Sequence, residues 1–234
     1  MMEAILRKGF AALGIAMPED AARRFEAYYE FLSERSRVMN LTAISGEADT
    51  ANLHFLDSAA LFSALDLRGR SVIDVGSGAG FPGIPLKIIS PDIALTLLDS
   101  QKKRVDFLTE LCSRLDLDDV QCLWARAEEA PADLRGSFGI AVSRAVARLQ
   151  ILSELCMPFV GVGGFFLAMK GSDTKKELDE AQSALAALGG KLQSVFEYTI
   201  PDTDVCHSVV IIEKISETPD IYPRRYSKIQ KSPL

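Results

Sequence analysis

Apolar side chains recur at helical spacing in the first part of the chain. Over residues 6–13 they return every three or four positions, and Pro18 ends this pattern. A second helix is expected over about 19–38, with another helical stretch over about 47–65. The sequence therefore predicts a helical extension before the remaining elements.

From Ser71 onward, short apolar runs alternate with longer amphipathic segments. This alternation is typical of βαβ units and a parallel sheet, and two last apolar runs predict an antiparallel hairpin at one sheet edge. The predicted strands are Ser71–Val75, Ala94–Leu98, Val120–Trp124, Phe138–Val142, Phe165–Met169, Lys191–Ile200 and His207–Ile215. The predicted helices between them are Gly83–Ile89, Lys102–Leu115, Ala127–Ala130, Leu149–Met157 and Thr174–Leu188.

This order predicts an α/β fold. The expected architecture is a Rossmann-like, seven-stranded and mostly parallel sheet with an antiparallel last strand, the variant found in class I methyltransferases. We expect an N-terminal helical extension over residues 1–65, the methyltransferase-type domain over 66–218, and a basic C-terminal tail over 219–234.

Composition indicates a globular protein of a reducing compartment. Apolar residues form 48% of the chain and charged residues 25%, which is ordinary for a soluble domain. The four cysteines include no CxxC pair and there are only two histidines, so neither disulfides nor a metal site is expected. No apolar run reaches the ~18 residues that span a bilayer, and the N-terminus lacks a signal peptide's apolar core. We expect a cytoplasmic protein without membrane contact, and nothing requires more than a monomer.

Charge is distributed unevenly along the chain. The net charge of −6 argues against a dedicated nucleic-acid binder. The tail from residue 221 onward nevertheless carries four cations and no acidic side chain, and a local basic patch can contact phosphates. The candidate RNA-binding residues are Arg224, Arg225, Lys228 and Lys231.

A glycine-rich loop follows the first predicted strand. A dinucleotide fingerprint, GxGxxG, would require glycine at position 81, where Phe81 stands and would obstruct a pyrophosphate. The chain instead reads Asp74-x-Gly76-x-Gly78-x-Gly80. An acidic residue before GxGxG suits a ligand with an amino-acid moiety, and its carboxylate attracts a cationic sulfonium. We therefore expect S-adenosylmethionine here; the alternative is a glycine-rich turn that binds nothing.

Two further strand ends carry candidate cofactor contacts. Asp99 ends the second strand about 20 residues past the loop, where an acid binds ribose hydroxyls, although it could instead cap the next helix. After the third strand, the backbone at Ala127 and the carboxylate of Glu128 are placed to bind the adenine edge. The alternative for Glu128 is a solvated acid in a first helical turn.

The fourth strand end should face the methyl acceptor. It has neither the Asn/Asp-Pro-Pro-aromatic motif common in amino-group methyltransferases nor the cysteine nucleophile that pyrimidine C5 methylation needs. Guanine N7 requires neither, since it has a free lone pair and loses no proton. Arg144 is the candidate for catalysis and for a cofactor contact, with an ion pair as its alternative role. Lys170, at the next strand end, is the second catalytic candidate and could also be a solvated lysine.

Motifs in order along nearly the whole chain resemble a known family, the bacterial 16S ribosomal RNA guanine-N7 methyltransferase G family, also called glucose-inhibited division protein B. The extended glycine loop is far more specific than a generic GxGxG. The motifs are Asn40-Leu-Thr-Ala-Ile44, His54-Phe-Leu-Asp-Ser58, Asp74 to Leu86, Leu98-Asp-Ser100, Lys103-Arg104, Ser143-Arg-Ala145, Met169-Lys-Gly171, Tyr222-Pro-Arg-Arg225 and Lys231-Ser-Pro-Leu234.

The resemblance implies methyl transfer from S-adenosylmethionine to N7 of a guanine in 16S rRNA, position 527 in the decoding-region hairpin. By motif, cofactor contacts carry over to Gly76, Phe81, Ala127, Glu128 and Arg144; Phe81 stands where many members have leucine. The implied partner is 16S rRNA or the small ribosomal subunit. Two alternatives stay open: methylation of another RNA or a small molecule, and a non-catalytic ribosome-assembly binding factor.

Overall fold

A computed structural model describes residues 1–144, 147–171 and 174–234. Its strands are β1 (Ser71–Val75), β2 (Ala94–Asp99), β3 (Val120–Trp124), β4 (Phe138–Arg144), β5 (Val160–Lys170), β6 (Gly190–Thr199) and β7 (Cys206–Lys214). They form one seven-stranded sheet in the order β3-β2-β1-β4-β5-β7-β6. The first five strands run parallel to one another, and β7 is antiparallel to both β5 and β6. The predicted fold class is confirmed.

Helices of the described residues cover both faces of this sheet. They are α1 (Met2–Ala12), α2 (Ala21–Met39), α3 (Glu47–Thr50), α4 (Asp57–Ala59), α5 (Leu61–Ala64), α6 (Gly83–Ile89), α7 (Lys102–Arg114), α8 (Leu149–Cys156), α9 (Lys175–Ala187) and α10 (Tyr226–Lys231). A π-helix, Ala51–Leu56, joins α3 to α4. None of the helices described is both long and apolar enough to cross a bilayer.

The structure corrects several predicted boundaries. β5 begins at Val160, five residues before the expected start, because its glycines resemble a loop in the sequence. A Cβ atom at Gly161 or Gly164 would lie 2.8 or 2.5 Å from a backbone oxygen of the neighbouring segment, so these two positions have no room for a side chain. The predicted helix at 127–130 is a short 3₁₀ turn, and the basic tail, for which no element was predicted, contains α10.

Successive side chains along each strand point to opposite faces of the sheet, so the core has two layers. On one face, residues such as Val72 and Leu97 pack against α6, α7 and the N-terminal helices. On the other face, residues such as Ile73 and Phe166 pack against α8, α9 and α10. The order in which successive strands are added across the sheet reverses beside β1, which pairs with β2 on one side and β4 on the other. In such sheets ligands bind at this switch point, at the carboxyl ends of the strands.

An aromatic cluster fixes the N-terminal helices to the sheet domain. Phe25 of α2 lies 4.7 Å, centroid to centroid, from Phe55 of the π-helix, and Phe31 stacks on Phe107 of α7 at 5.1 Å. Tyr28 is fully buried and its hydroxyl donates a hydrogen bond to the Ala79 carbonyl of the glycine loop. The predicted extension therefore shares its core with the sheet and contacts the ligand-binding edge directly.

We predict that Phe25→Ala lowers the free energy of unfolding by about 3–5 kcal/mol, because it leaves a cavity in a fully buried ring cluster. Denaturant unfolding followed by circular dichroism measures the change, and one transition is expected for the whole chain. Val38→Ala, an exposed site on the same helix, is the control and should change stability by less than about 0.5 kcal/mol. An early, separate transition with the sheet intact would contradict the shared core.

Candidate functional site

The loop between β1 and α6 is held from beneath by Asp74. Its carboxylate is fully buried, and Oδ2 accepts a hydrogen bond of 2.9 Å from the Gly83 amide. Burial raises the pKa of Asp74 to about 7, and Oδ1 has no hydrogen-bond partner among the described residues. Asp74 does not line the cavity above the loop. The predicted direct cofactor contact is therefore replaced by support of the loop, because the side chain points into the core.

The glycines of the loop divide between two tasks. All three have positive φ, 78° at Gly76, 59° at Gly78 and 101° at Gly80, a region that favours glycine. Gly76 and Gly78 line the cavity, as predicted for a cofactor loop. Gly80 does not: a Cβ there would lie 2.7 Å from both the Tyr28 hydroxyl and Ile84. Its predicted ligand contact gives way to close packing against α2.

A cavity of about 480 Å³ lies over the carboxyl ends of β1, β2 and β3. This volume falls in the ~300–1,000 Å³ range of small-molecule sites. Asp99, Ala127 and Glu128 all line it, together with Thr42 from the N-terminal region and Tyr226 from α10. The structure thus brings together the predicted ribose and adenine contacts from separate strand ends.

The Asp99 carboxylate is fixed at the edge of this cavity. Oδ1 accepts the Gln101 amide at 2.8 Å, and Oδ2 accepts the Gly78 amide at 3.0 Å. The bond to Gln101 is not a side-chain cap of α7, because Gln101 is itself the N-cap residue of that helix. Arg104 lies 3.5 Å from the same Oδ2. The side chain is almost fully buried yet reaches the cavity, so its position is compatible with the predicted ribose contact.

Phe81 is the centre of a stack of rings under the cavity. Its ring lies 4.2 Å from the His54 ring and 5.2 Å from the Tyr28 ring, nearly parallel to both. The Arg144 guanidinium carbon lies 4.9 Å from the same centroid. Phe81 lines the cavity while being only 5% exposed, so its side chain mainly joins the glycine loop to the N-terminal helices.

Arg144, at the end of β4, is bound by the N-terminal region on both terminal nitrogens. Nη1 donates to the Leu53 carbonyl at 3.2 Å and to Asp57 Oδ2 at 3.0 Å, and Nη2 donates to His54 Nδ1 at 2.9 Å. The ion pair considered as an alternative is present, with a partner that the sequence analysis did not identify. Ala145, which ends the Ser143-Arg-Ala motif, lies outside the described residues.

The contacts of His54 define its tautomer. Arginine can only donate, so Nδ1 accepts and the ring proton sits on Nε2, 2.8 Å from the Thr42 hydroxyl oxygen, which also accepts the Ile44 amide. Burial and the neighbouring Arg144 lower the pKa of His54 to about 3. His54 is therefore a neutral side chain at physiological pH.

Asp57 gathers side chains from distant parts of the chain. Besides Arg144, it accepts hydrogen bonds at Oδ1 from the Tyr198 hydroxyl at 2.7 Å and from His207 Nδ1 at 2.8 Å. Burial opposes its charge, but the bonds from His207 and Tyr198 and the charge of Arg144 hold the pKa of Asp57 below its usual value. Sequence reasoning quoted the His54-Phe-Leu-Asp57 motif without assigning roles to it, and missed Tyr198 and His207.

A second cavity, of about 560 Å³, adjoins the first. His54 and Arg144 line both cavities and so form their common boundary. Lys170, the other predicted catalytic residue, lines only the second cavity; its Nζ lies 2.7 Å from both the Ala147 carbonyl and Glu177 Oε2. Within the described ranges, no group of three or more His, Cys, Asp or Glu side chains could hold a metal ion.

The four cations of the basic tail lie in two kinds of environment: one anchors the tail in an ion pair, and three are exposed. Arg224, predicted to bind RNA, instead donates from Nε and Nη2 to the fully buried carboxylate of Glu154, at 2.8 and 2.6 Å. This ion pair occupies its guanidinium, because a buried carboxylate needs a charged partner. The other three candidates, Arg225, Lys228 and Lys231, are exposed, and their RNA contacts remain a prediction.

The sequence matches the family model described as "GidB: rRNA small subunit methyltransferase G" over residues 21–206. The chain belongs to this family. Two curated relatives carry the name "Ribosomal RNA small subunit methyltransferase G": one from Pelotomaculum thermopropionicum is 45% identical over 98% of this chain and 97% of its own, and one from Acetivibrio thermocellus is 42% identical over 98% and 96%. Membership confirms the predicted methyltransferase activity with S-adenosylmethionine as cofactor.

Solved structures show the same fold at low sequence identity. The antibiotic-resistance methyltransferase Kmr aligns with a TM-score of 0.53 and 16% identity over 69% of this chain and 94% of that chain. A SAM-dependent methyltransferase from Aquifex aeolicus gives 0.53 and 17% over 79% and 96%. These likenesses concern the sheet architecture alone.

For this member of the rRNA small subunit methyltransferase G family, we predict that His207 titrates above the ordinary histidine value of about 6.5. The hydrogen bond to Asp57 raises the pKa of His207, outweighing burial and Arg144. The pair therefore stabilises the fold fully below about pH 6.5, and the contribution is lost as pH rises through the raised pKa. NMR titration of the two histidine rings measures this, with His54 uncharged down to about pH 4.

Asp57→Asn should bring the pKa of His207 below 6.5, since burial and Arg144 then act unopposed. Tyr198→Phe is the matched control: it removes a hydrogen bond to the same carboxylate oxygen but no charge, and should leave the His207 pKa above 6.5. A wild-type His207 that titrates below 6.5 would refute the assigned pair.

Proposed function

We propose that this protein transfers a methyl group from S-adenosylmethionine to N7 of a guanine in 16S rRNA, position 527 of the decoding-region hairpin. The observation that carries the proposal is the pair of adjoining cavities whose common boundary is His54 and Arg144. One cavity has the lining expected for the cofactor, and the second offers space for an acceptor base. The names of the curated relatives support rRNA as the substrate class.

The first cavity has side chains that fit the cofactor. In the proposal, Asp99 binds the ribose hydroxyls, Ala127 and Glu128 bind the adenine edge, and Gly76 and Gly78 leave room for the amino-acid moiety. When bound, S-adenosylmethionine supplies an electrophilic methyl group on a sulfonium. Phe81 contributes to the floor of the site through its edge and keeps the loop in place through its stacked ring.

No base has to take a proton from guanine N7, so the residues at the boundary need only align and balance charge. His54 is neutral there, and the positive charge of Arg144 is paired with Asp57 at 3.0 Å. A lone guanidinium would repel both a sulfonium and the cationic product base. The ion pair removes most of that repulsion while Arg144 keeps a fixed orientation at the boundary.

Binding of the RNA is assigned to the exposed cations of the tail, Arg225, Lys228 and Lys231. Tyr226 lies between them in the chain and lines the cofactor cavity, so these cations stand near the mouth of the site. The partner in this proposal is 16S rRNA or the small ribosomal subunit, met in the cytoplasm by a monomer.

The decisive test maps N7-methylguanine in 16S rRNA from cells with and without this protein. We expect the modification at one guanine to disappear and to return with the wild-type gene. Arg144→Lys should restore it roughly 100-fold less efficiently, because one ammonium cannot hold the contacts of the guanidinium fork. Arg68→Lys, an exposed exchange, is the control and should restore it fully. Methylation of another RNA or of a metabolite alone, or cofactor binding without turnover, would overturn the proposal in favour of its alternatives.

We predict that replacing Arg225, Lys228 and Lys231 together by alanine weakens RNA binding and reduces the slope of log K against log salt by about 2. Each lost phosphate contact removes about 0.7 from the slope on single-stranded RNA. Fluorescence anisotropy at several salt concentrations measures both quantities. Arg224 is left in place because its ion pair with Glu154 anchors the tail.

The control removes the same number of positive charges from the end of the sheet where the strands begin, opposite the two cavities. Arg68 and Arg70 precede β1, and Lys191 is the second residue of β6, which runs in the same direction as β1; all three are exposed. Their triple alanine variant should keep the wild-type slope. Equal slopes for the wild type and the tail variant would remove the tail from the interface.

A further inference from the structure

The second cavity is lined by the carboxylate of Glu177, to which the proposed reaction assigns no role. Glu177, in the first turn of α9, forms an ion pair at Oε2 with the Lys170 ammonium at 2.7 Å, and the same oxygen accepts a hydrogen bond from the Leu149 amide at 2.8 Å. Its Oε1 has no hydrogen-bond partner among the described residues. The side chain is 30% exposed and lines the cavity, so this oxygen is available to a ligand.

Glu177 and Lys170 together present an acceptor beside a donor. Lys170 Nζ donates to the Ala147 carbonyl and lies 2.7 Å from Glu177 Oε2, so one of its three N–H groups has no partner among the described residues. Neither residue lines the first cavity, so both lie away from the boundary formed by His54 and Arg144. A ligand bound to this pair would therefore have another of its edges available to the boundary.

Guanine matches this arrangement. Its Watson–Crick edge places the N1–H and 2-amino donors beside the O6 acceptor, whereas adenine presents an acceptor at N1 beside an amino donor. N7 lies on the adjoining Hoogsteen edge, so an enzyme that binds only the Watson–Crick edge leaves N7 uncovered. That edge is free only in an unpaired or flipped-out base, which hairpin loops provide.

We propose that the second cavity receives the target guanine and that Glu177 is a specificity-determining residue, whose Oε1 accepts from N1–H and the 2-amino group while Lys170 donates to O6. This assignment rests on the proposed function, since it names how the acceptor base is recognised. It also gives Lys170 a recognition role and predicts that adenine is rejected, because the donor and acceptor of adenine would face like groups of the protein.

The test compares an RNA hairpin carrying guanine or inosine at the target position. Inosine keeps N7, N1–H and O6 but lacks the 2-amino group. The wild-type protein should bind and methylate the inosine RNA roughly 10-fold less well, since one hydrogen bond to a charged group is lost. Anisotropy measures binding, and mass spectrometry measures methylation.

Glu177→Gln is the discriminating variant. One amide oxygen can keep the contacts to Lys170 and Leu149, but the amide nitrogen then faces the guanine donors. We expect kcat/KM on the guanine RNA to fall roughly 10- to 100-fold and the preference for guanine over inosine to vanish. The Kd for S-adenosylmethionine, measured by calorimetry, should stay unchanged, because Glu177 does not line the first cavity.

Glu180→Gln is the matched control on the same helix. Glu180 pairs loosely with Arg148 at 3.8 Å and does not line the cavity, so this variant should behave as wild type on both RNAs. Unchanged guanine preference in Glu177→Gln, or an equal loss on both RNAs together with a lower Tm, would overturn the assignment and leave Glu177 as a structural tie. Failure of the proposed function looks different: the wild-type protein would not methylate the guanine RNA at N7.

Discussion

The candidate site depends on the way the Arg144 guanidinium is held. This side chain leaves the end of β4 and donates to Leu53, His54 and Asp57 on the N-terminal helices. Asp57 is almost fully buried, and a buried carboxylate is costly without charged and hydrogen-bonding partners. The guanidinium therefore ties the sheet to the N-terminal helices and at the same time forms the boundary between the two cavities.

Neutrality at this boundary follows from the same contacts. Arginine only donates, so His54 must present a lone pair at Nδ1, and the nearby cation disfavours a second proton on the ring. The ring can then stack on Phe81 at 4.2 Å, which positions the glycine loop. A cationic cofactor and a cationic product are compatible with such a boundary, because the remaining charge of Arg144 faces Asp57.

What the sequence predicts depends on how local the signal is. Strand periodicity, the glycine loop and the acids at strand ends are contained in short segments, and the structure brings Gly78, Asp99 and Glu128 to one cavity as expected. The Asp57 cluster is not local, since its partners Tyr198 and His207 lie more than 140 positions along the chain. Only the register of β6 against β7, which sets Tyr198 opposite His207, brings them together.

Burial explains the predictions that changed. Asp74 was assigned to a ligand by its place before the glycine loop and Arg224 by its place in the basic tail, but both lie against the core, where one supports the glycine loop and the other neutralises Glu154. The anchor at Arg224 has a further consequence for the site. It fixes the start of α10, whose Ile229 is fully buried and whose Tyr226 lines the cofactor cavity. The exposed tail cations thus belong to a segment that lines the cofactor cavity, so the proposed RNA contacts would lie next to the proposed cofactor site.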